Sequence, residues 1–317
     1  MNKTPIIIDC DPGVDDSYAI ALANSCPDFE IVAITAVEGN VSAEITRKNA
    51  LCLTDMLGIN CRVGFGAEKP LVRPYKRDAS GTHGQSGVGT VKFPEPKKQP
   101  DEKPAWDVIY EEAVKSEGRL ILFAIGPLTN IAIALREHPD LPQHISKFCI
   151  MGGGTFGNVT ATGAKAEFNI WIDPTAAKEV FEKMTVYMVG LNATHAAALS
   201  AQDFDEMIEI CGSSESAYLV RELSKFSKFN SMEKGHDNNI IHDALAIASM
   251  INPDVVTYEN YYVYVEDDPQ AENEGETVID LKGESGKKAN CYVAMKVNQP
   301  LFADMLKDMC RHYAEKQ

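Results

Sequence analysis

Short apolar, β-branched runs recur along this chain, and most are followed by a Gly, Pro or Asn turn signal and then by a helical pattern. A repeated order of strand, turn and helix is typical of a parallel sheet with helices on both faces. Because the runs are continuous rather than alternating, the strands are predicted to be buried on both sides. We therefore predict an α/β fold with an open, mostly parallel central sheet. The predicted strands are Pro5–Asp9, Ile31–Val37, Leu120–Ile125, Phe148–Gly152 and Val186–Leu191. The predicted helices are Ser17–Asn24, Leu128–Arg136, Pro174–Phe181 and Leu301–Ala314.

No linker or internal repeat divides the sequence, so residues 1–317 are predicted to form a single domain. Two segments are predicted to be surface loops. Residues 65–104 are rich in Gly, Pro and charge, and a loop of this length in a compact domain is usually functional or mobile. Residues 266–277 are acidic and are predicted to form a turn or hairpin that is more often solvated than functional.

Charge excludes several classes of partner. The chain has 30 Lys and Arg against 46 Asp and Glu, a formal charge of −16. An acidic excess of this size argues against a nucleic-acid groove and against binding to an anionic membrane surface. The apolar stretches are too short for a membrane span or a signal peptide, and the eight cysteines contain no C-x-x-C pair. We therefore expect a cytoplasmic protein with reduced thiols.

The densest polar feature is Asp9–Asp16, which reads DCDPGVDD and follows the first predicted strand. Four carboxylates within eight residues repel one another and lose hydration, so the cluster is costly unless something compensates its charge. Helix capping accounts for Asp15 or Asp16, and Pro-Gly makes a turn, but the other carboxylates remain unexplained. A bound divalent cation accounts for them better, and all-oxygen ligands favour Ca²⁺ or Mg²⁺ over zinc.

Other polar motifs are weaker when each is taken alone. The pair His242-Asp243 opens a predicted helix, where a cap and its neighbour are commoner than a catalytic pair. The glycines of 151–154 are equally explained by close packing or turns, and they do not form a G-x-G-x-x-G fingerprint. The remaining motifs contain Asn40, His83, the segment 125–130, Asn158 and the segment 166–169.

The placement of these motifs is more informative than any one of them. Asp9–Asp16, Asn40, the turn at Gly126 and Met151–Gly154 all follow predicted parallel strands. The carboxyl ends of parallel strands form one edge of an open sheet, where ligands bind. We therefore predict a ligand site at that edge.

Taken together, these residues resemble the inosine–uridine-preferring nucleoside hydrolase family across nearly the whole chain. The matching stretches, in the family's order, are DCDPGVDD at 9–16, VEGN at 37–40, HGQSG at 83–87, GPLTN at 126–130, MGGG at 151–154, AEFN at 166–169 and HDALA at 242–246. The resemblance implies a sheet-centred α/β fold, a tightly held Ca²⁺, and hydrolysis of N-ribosides to ribose and free base in nucleoside salvage. It also suggests a homodimer or homotetramer.

The resemblance further implies a role for each matching residue. It implies that Asp11 accepts the proton of the attacking water, that His242 faces the leaving base as a candidate general acid, and that Asp9 supports the site from outside. The implied Ca²⁺ ligands are Asp11, Asp16, Asp243 and the backbone carbonyl of Ile125. The implied ligands of the ribose hydroxyl groups are Asp15, Asn40, Glu167 and Asn169. Further implied substrate contacts are Met151 and Asn158 in the sugar pocket and His83 on a loop over the site.

Three stretches depart from the family pattern. Asn192 replaces an aspartate that is common in the family, the segment 159–166 is longer than usual, and the segment 226–230 has no clear Tyr facing the base. These departures concern the 5′ side of the ribose and the base. The same chemistry on a modified nucleoside or a 5′-nucleotide therefore remains an alternative.

Two interpretations from other classes compete with the hydrolase. A Mg²⁺-dependent phosphatase with a D-x-D nucleophile fits Ile6–Asp11 superficially, but Gly13 stands where that class expects Thr or Val. A non-catalytic nucleoside-binding protein would require loss of Asp11 or a secretion signal, and the sequence has neither feature.

Overall fold

The computed structural model describes residues 3–72, 84, 86–233, 235 and 237–316. Within them, the strands are β1 (Thr4–Cys10), β2 (Phe29–Ala36), β3 (Arg62–Phe65), β4 (Leu120–Ala124), β5 (Ile145–Met151), β6 (Val186–Val189), β7 (Leu199–Ser200), β8 (Asn238–Asn239), β9 (Val256–Tyr261), β10 (Val263–Val265), β11 (Thr277–Ile279) and β12 (Cys291–Val297). The α-helices are α1 (Val14–Ser25), α2 (Ala43–Met56), α3 (Ala105–Lys115), α4 (Thr129–Glu137), α5 (Phe168–Ile172), α6 (Pro174–Lys183), α7 (Leu191–Ala196), α8 (Ala201–Cys211), α9 (Tyr218–Glu233), α10 (His242–Ile251) and α11 (Gln299–Glu315).

The central sheet contains eight strands in the order β3-β2-β1-β4-β5-β6-β12-β9. Its neighbouring strands are parallel, apart from the edge strand β9, which runs antiparallel to β12. The prediction of an open, mostly parallel sheet is confirmed. Strand order reverses between β1 and β4, which creates a crevice at their carboxyl ends.

Helices cover both faces of this sheet and bury two apolar cores. The alternation is clearest in β1, where Ile6 and Ile8 enter one core and Ile7 enters the other. All three side chains are fully buried, which explains the continuous apolar pattern of the strand. Helices α1, α2, α9, α10 and α11 pack on the first face, and α3, α4 and α6 pack on the second.

Several boundaries differ from the predicted ones. The strand predicted at Val186–Leu191 ends at Val189, and Gly190 follows it as the N-cap of the next helix. Gly190 packs closely on the loop after β5, since a Cβ at 190 would be 2.5 Å from the Gly154 Cα. Residue 191 then begins α7. Strands β3, β9 and β12 were not predicted, since their apolar patterns are short or interrupted by charge.

The acidic segment 266–277 connects β10 and β11, which pair as an antiparallel hairpin outside the central sheet. The predicted hairpin is therefore confirmed, but its last residue, Thr277, is buried. All eight cysteines are unpaired. Among the described residues, no helix combines the length and the apolar character that crossing a membrane requires.

Candidate active site

Loops that follow β1, β2, β4 and β5 meet at the carboxyl edge of the sheet, beside the crevice between β1 and β4. Asp11 is the central side chain of this site. It is almost completely buried, and its Oδ2 accepts a hydrogen bond of 2.6 Å from the backbone amide of Asn40. Its Oδ1 is buried without a hydrogen-bond partner among the described residues. An unpaired buried oxygen is costly and indicates a missing ligand or a catalytic role.

Two glycines make room for the Asp11 carboxylate. A Cβ at Gly39 would lie 2.0 Å from Asp11 Oδ2, and a Cβ at Gly126 would lie 2.6 Å from Asp11 Oδ1. The loops after β2 and β4 can therefore approach this carboxylate only because both positions lack a side chain. The same contact brings the Ile125–Gly126 peptide beside Asp11.

Asp16 ties the loop after β1 to the first turn of α1. Its Oδ2 accepts the Gly13 amide at 2.8 Å and its Oδ1 accepts the Asp11 amide at 3.2 Å. The side-chain amide of Asn40 donates to the Asp11 carbonyl at 3.2 Å and to Asp16 Oδ2 at 3.4 Å. Asp16 therefore does cap the helix, as one interpretation of the sequence held, and it also faces Asp11.

Asp15 and Asp243 join the cluster from two helix N-termini. Asp15 Oδ2 accepts the His242 backbone amide at 3.3 Å, which links α1 to α10. Asp243 is buried in the first turn of α10. Burial, followed by the charge of Asp16, raises the pKa of Asp11 and of Asp243 well above its usual range. Burial likewise raises the pKa of Asp15 to about 7 and of Asp16 to about 6.

Asn169 connects the loops after β4 and β5. Its side-chain amide donates to the Ile125 carbonyl at 3.0 Å and to the Met151 carbonyl at 3.1 Å. Met151 and Asn169 are both buried. The structure thus brings together Ile125, Met151 and Asn169, which the sequence places far apart.

Glu167 is the N-cap residue of α5 and is also buried. Its carboxylate accepts three backbone amides, from Asn169 at 2.9 Å, Gly153 at 3.0 Å and Ile170 at 3.2 Å. Burial raises its pKa to about 7 in spite of these donors. Asn158 is exposed, and its backbone amide donates to Ala166, the residue before Glu167.

His242 opens α10 at the rim of the cluster. Its Nδ1 lies 2.8 Å from Thr194 Oγ1, and its ring centroid is 6.0 Å from that of His195. The His195 ring in turn meets the edge of Phe156 with centroids 5.2 Å apart. A short row of rings therefore extends from His242 toward solvent. The predicted substrate residue His83 lies outside the described residues.

Asp9 lies beneath the cluster and is fully buried. Its Oδ1 accepts the Thr35 hydroxyl at 2.5 Å and the Asn130 side-chain amide at 2.8 Å. The Oδ1 atom of Asn130 accepts the Ala67 amide at 2.8 Å. Asp9 thus contacts strand β2 through Thr35 and helix α4 through Asn130.

Four contact residues were not predicted from the sequence: Thr35, Thr194, Phe156 and Thr277. The sequence around each of these residues has no distinctive motif. Each reaches the site through a contact with a residue that is distant in the sequence. Asn130 lies within the stretch GPLTN, which was noted as a motif without a role for this side chain. Asn192 reaches the loop after β5, because its Oδ1 accepts the Thr155 amide at 3.4 Å.

The residues present fit a hard cation. Within the described ranges, no three His, Cys, Asp or Glu side chains already converge as a metal cage. The cluster nevertheless supplies carboxylate oxygens, an unpaired Asp11 Oδ1 and an adjacent backbone carbonyl at Ile125, which together are the ligand types of such ions. Mutually close buried carboxylates are costly when ionised, and a bound cation would offset that cost.

Comparison with known proteins identifies the family of this chain. Residues 6–304 match the family model described as inosine-uridine preferring nucleoside hydrolase. This chain belongs to that family. As a nucleoside hydrolase it is an N-ribosyl hydrolase, an enzyme that cleaves N-glycosidic bonds with water. The sequence-based identification of the family is therefore confirmed, and it decides against the phosphatase and the non-catalytic binding protein.

Curated relatives and solved structures agree with this assignment. The nucleoside hydrolase is 38% identical over 298 residues to a non-specific ribonucleoside hydrolase, RihC, of Klebsiella pneumoniae, with 93% of this chain and 94% of the relative covered. It is 36% identical to a pyrimidine-specific ribonucleoside hydrolase, RihA, of Escherichia coli, with 98% and 99% covered. The purine-preferring ribonucleoside hydrolase structure from Gardnerella vaginalis superposes with a TM-score of 0.88 at 27% identity, with 98% of this chain and 99% of that chain covered.

Proposed function

We propose that this nucleoside hydrolase converts ribonucleosides with a purine base, a pyrimidine base or both to ribose and free base with the aid of Ca²⁺. The observation that carries the proposal is Asp11 Oδ1, a buried carboxylate oxygen without a hydrogen-bond partner among the described residues. Such an oxygen can ligate a cation, and it can also accept a hydrogen bond or a proton from a water molecule. The products are reusable, so the reaction suits nucleoside salvage.

The proposed Ca²⁺ ligands are Asp11, Asp16, Asp243 and the backbone carbonyl of Ile125. Three carboxylates and a carbonyl match the oxygen ligands that this ion prefers. When bound, the ion supplies a positive charge that holds ribose hydroxyl groups and lowers the pKa of water. Ca²⁺ binds tightly only where the protein offers several anionic oxygens, and the acidic cluster meets that condition.

Asp11 is proposed as the base that accepts a proton from the attacking water. The water oxygen forms a bond to C1′ of the ribose while the bond from C1′ to the base nitrogen breaks. The ribosyl group becomes oxocarbenium-like at that moment, and buried carboxylates stabilise its developing positive charge. Asp15, Asn40, Glu167 and Asn169 are proposed to orient the ribose hydroxyl groups.

His242 is proposed to protonate the leaving base. Its Nδ1 lies 2.8 Å from Thr194 Oγ1, and this contact fixes the plane of the ring at the rim of the cluster. Met151 and Asn158 are proposed to line the sugar pocket. His83 is proposed to contact the substrate as well. The relatives named above differ in base preference, so the order of preference among bases must come from the experiment below.

The decisive experiment measures ribose release and bound metal on the same purified sample. The substrates are inosine, adenosine, guanosine, uridine, cytidine, 2′-deoxyinosine and inosine 5′-monophosphate, each with Ca²⁺ or with the chelator EGTA. We expect release from ribonucleosides that stops after chelation and returns with Ca²⁺. Release that is unchanged by chelation contradicts the Ca²⁺ role. Release from the monophosphate alone instead supports the 5′-nucleotide alternative.

A further inference from the structure

The hairpin formed by β10 and β11 lies outside the central sheet but reaches the active site. Its second strand begins at Thr277, whose side chain is buried although the preceding segment is acidic and mostly partly exposed. The Thr277 Oγ1 donates to the Gly154 carbonyl at 3.1 Å and accepts the Gly154 amide at 3.0 Å. One hydroxyl group therefore hydrogen-bonds to both the amide and the carbonyl group of Gly154.

The residue that Thr277 holds belongs to a turn that depends on glycine. Gly153 has a φ of +68° and Gly154 a φ of +136°, values that residues with a side chain rarely adopt. Two successive glycines restrict their own backbone very little, so an outside contact must select one conformation. Thr277 supplies two hydrogen bonds for this purpose, and the Gly153 carbonyl accepts a third from Leu191 at 2.9 Å.

The same turn orients Glu167. The Gly153 amide, directly before Gly154, donates to Glu167 Oε2 at 3.0 Å. A rotation of the Gly153–Gly154 turn would remove one of the three amides that hold this carboxylate. Because Glu167 is buried, this loss would leave Oε2 with the Ile170 amide as its remaining donor and would weaken the control of the carboxylate's orientation.

A second contact joins the hairpin to the other support of Glu167. Gly275 has a φ of +85°, and a Cβ at this position would lie 2.9 Å from the Trp171 Cα and 3.2 Å from the Ala166 Cβ. Trp171 belongs to α5, whose N-cap residue is Glu167. The hairpin therefore packs on both elements that present the carboxylate.

From these contacts we infer that Thr277 is a positioning residue of the hydrolase: its hydroxyl group fixes the Gly153–Gly154 turn and thereby keeps Glu167 aligned with the ribose. The inference rests on the proposed role of Glu167 as a ribose ligand. Thr277 does not contact the substrate in this proposal, and it acts only through the backbone of the turn.

The first test compares Thr277→Val with Thr277→Ser. Valine keeps the shape and loses both hydrogen bonds, whereas serine retains the hydroxyl group. We expect Thr277→Val to lower kcat/KM for the best ribonucleoside about tenfold, the size expected for one misaligned hydrogen bond, and Thr277→Ser to restore most of it. Thr54→Val is the matched control, since the Thr54 hydroxyl is buried and donates to Ala50 within its own helix. We expect this control to keep its kcat/KM.

The second test is a double-mutant cycle with Glu167→Gln. If Thr277 acts through Glu167, Thr277→Val lowers kcat/KM in the wild-type background and has little further effect in Glu167→Gln. An equal loss in both backgrounds, or no rescue by serine, overturns the inference and leaves the proposed function intact. A Glu167→Gln variant with full kcat/KM instead contradicts the ribose role of Glu167 and removes the basis of the inference.

A measurement without substrate completes the test. Hydrogen exchange of the peptide that contains residues 151–158 reports on the turn whether or not the protein turns over a given riboside. We expect faster exchange in Thr277→Val and unchanged exchange in Thr277→Ser and Thr54→Val. Unchanged exchange in Thr277→Val overturns the inference, even if ribose release is reduced.

Discussion

Two clusters of carboxylates in this molecule stand in opposite electrostatic surroundings. At the amino-terminal end of β3, Arg62 contacts Asp101 at 2.6 Å, Glu111 at 2.9 Å and Glu112 at 3.3 Å. Hydrogen bonding to Arg62 lowers the pKa of Asp101, and hydrogen bonding to Lys103 and then to Arg62 lowers that of Glu111. Here the chain supplies its own cation for the carboxylates.

The active-site cluster lacks such a cation. Among the described residues, no Lys or Arg forms an ion pair with Asp11, Asp16 or Asp243. Burial raises the pKa values of these carboxyl groups instead of a cation lowering them. In the first cluster the chain supplies the positive charge itself, whereas the second has buried carboxyl groups with raised pKa values, which a proton or a bound cation would neutralise.

The largest expected effect is on kcat, which should depend on the active-site cluster and not on the Arg62 cluster. Asp11→Asn keeps an acceptor for the Asn40 amide but removes the negative charge and the proposed base. We expect kcat for the best ribonucleoside to fall about 10²- to 10⁴-fold, as for other general bases. The matched variant Asp101→Asn should leave kcat unchanged. Steady-state ribose release measures both, and near-wild-type turnover of Asp11→Asn would remove Asp11 from the mechanism.

The next largest effect concerns His242 at the rim of the acidic cluster and its proposed proton transfer to the leaving base. We expect His242→Ala to lower kcat for inosine about 10²-fold, the lower range for a general acid. A riboside with a p-nitrophenyl leaving group should lose much less, since that group departs without a proton. His138→Ala is a control histidine that pairs with Asp107 away from the site. Equal losses on both substrates would indicate that His242 only positions the base.

Removal of the metal should affect one cluster and leave the other unchanged. A ligand at about 100 times its Kd stabilises the folded state by about 2.7 kcal/mol. We therefore expect Ca²⁺ to raise the Tm of the wild type relative to EGTA, and to do so equally in Arg62→Met. Asp243→Asn should show a much smaller rise. Calorimetry measures the shift, and an identical Tm with Ca²⁺ and EGTA contradicts the Ca²⁺ site.

The smallest effect concerns the Arg62 cluster itself. Arg62→Met retains much of the apolar stem but leaves three carboxylates without their shared cation. Because this side chain is partly exposed, we expect the free energy of unfolding to fall by only about 1–2 kcal/mol. Urea unfolding measures the loss, with kcat as the control. A large fall in kcat would show that the two clusters are not independent.

Much of the fold could be predicted because its signals are local. The continuous apolar run of β1 and the turn chemistry of Pro12-Gly13 both follow from neighbouring residues. The same holds for Asp16, whose cost as part of a dense anionic run is visible in the sequence alone. Strand β3 has only four residues, so its apolar pattern is too short to identify.

The rest of the site depends on contacts between distant segments. Thr277 has no local feature that distinguishes it from a solvated threonine, and the acidic segment before it suggested a surface turn. Its proposed role follows only from the contact between the hairpin and the loop after β5. Thr194 is similar, since its contact with His242 joins α7 to α10. Side-chain pairs of this kind require the three-dimensional structure.

The order of the strands has a consequence for biosynthesis. Asp11 follows the first strand, whereas Asp243 and Thr277 emerge from the ribosome only after most of the chain. β12 lies between β6 and β9, and α11 packs against α1. A nascent chain therefore carries the acidic loop before the elements that enclose it exist. The catalytic centre therefore combines segments from distant parts of the chain, and contacts between such segments form more slowly than local contacts.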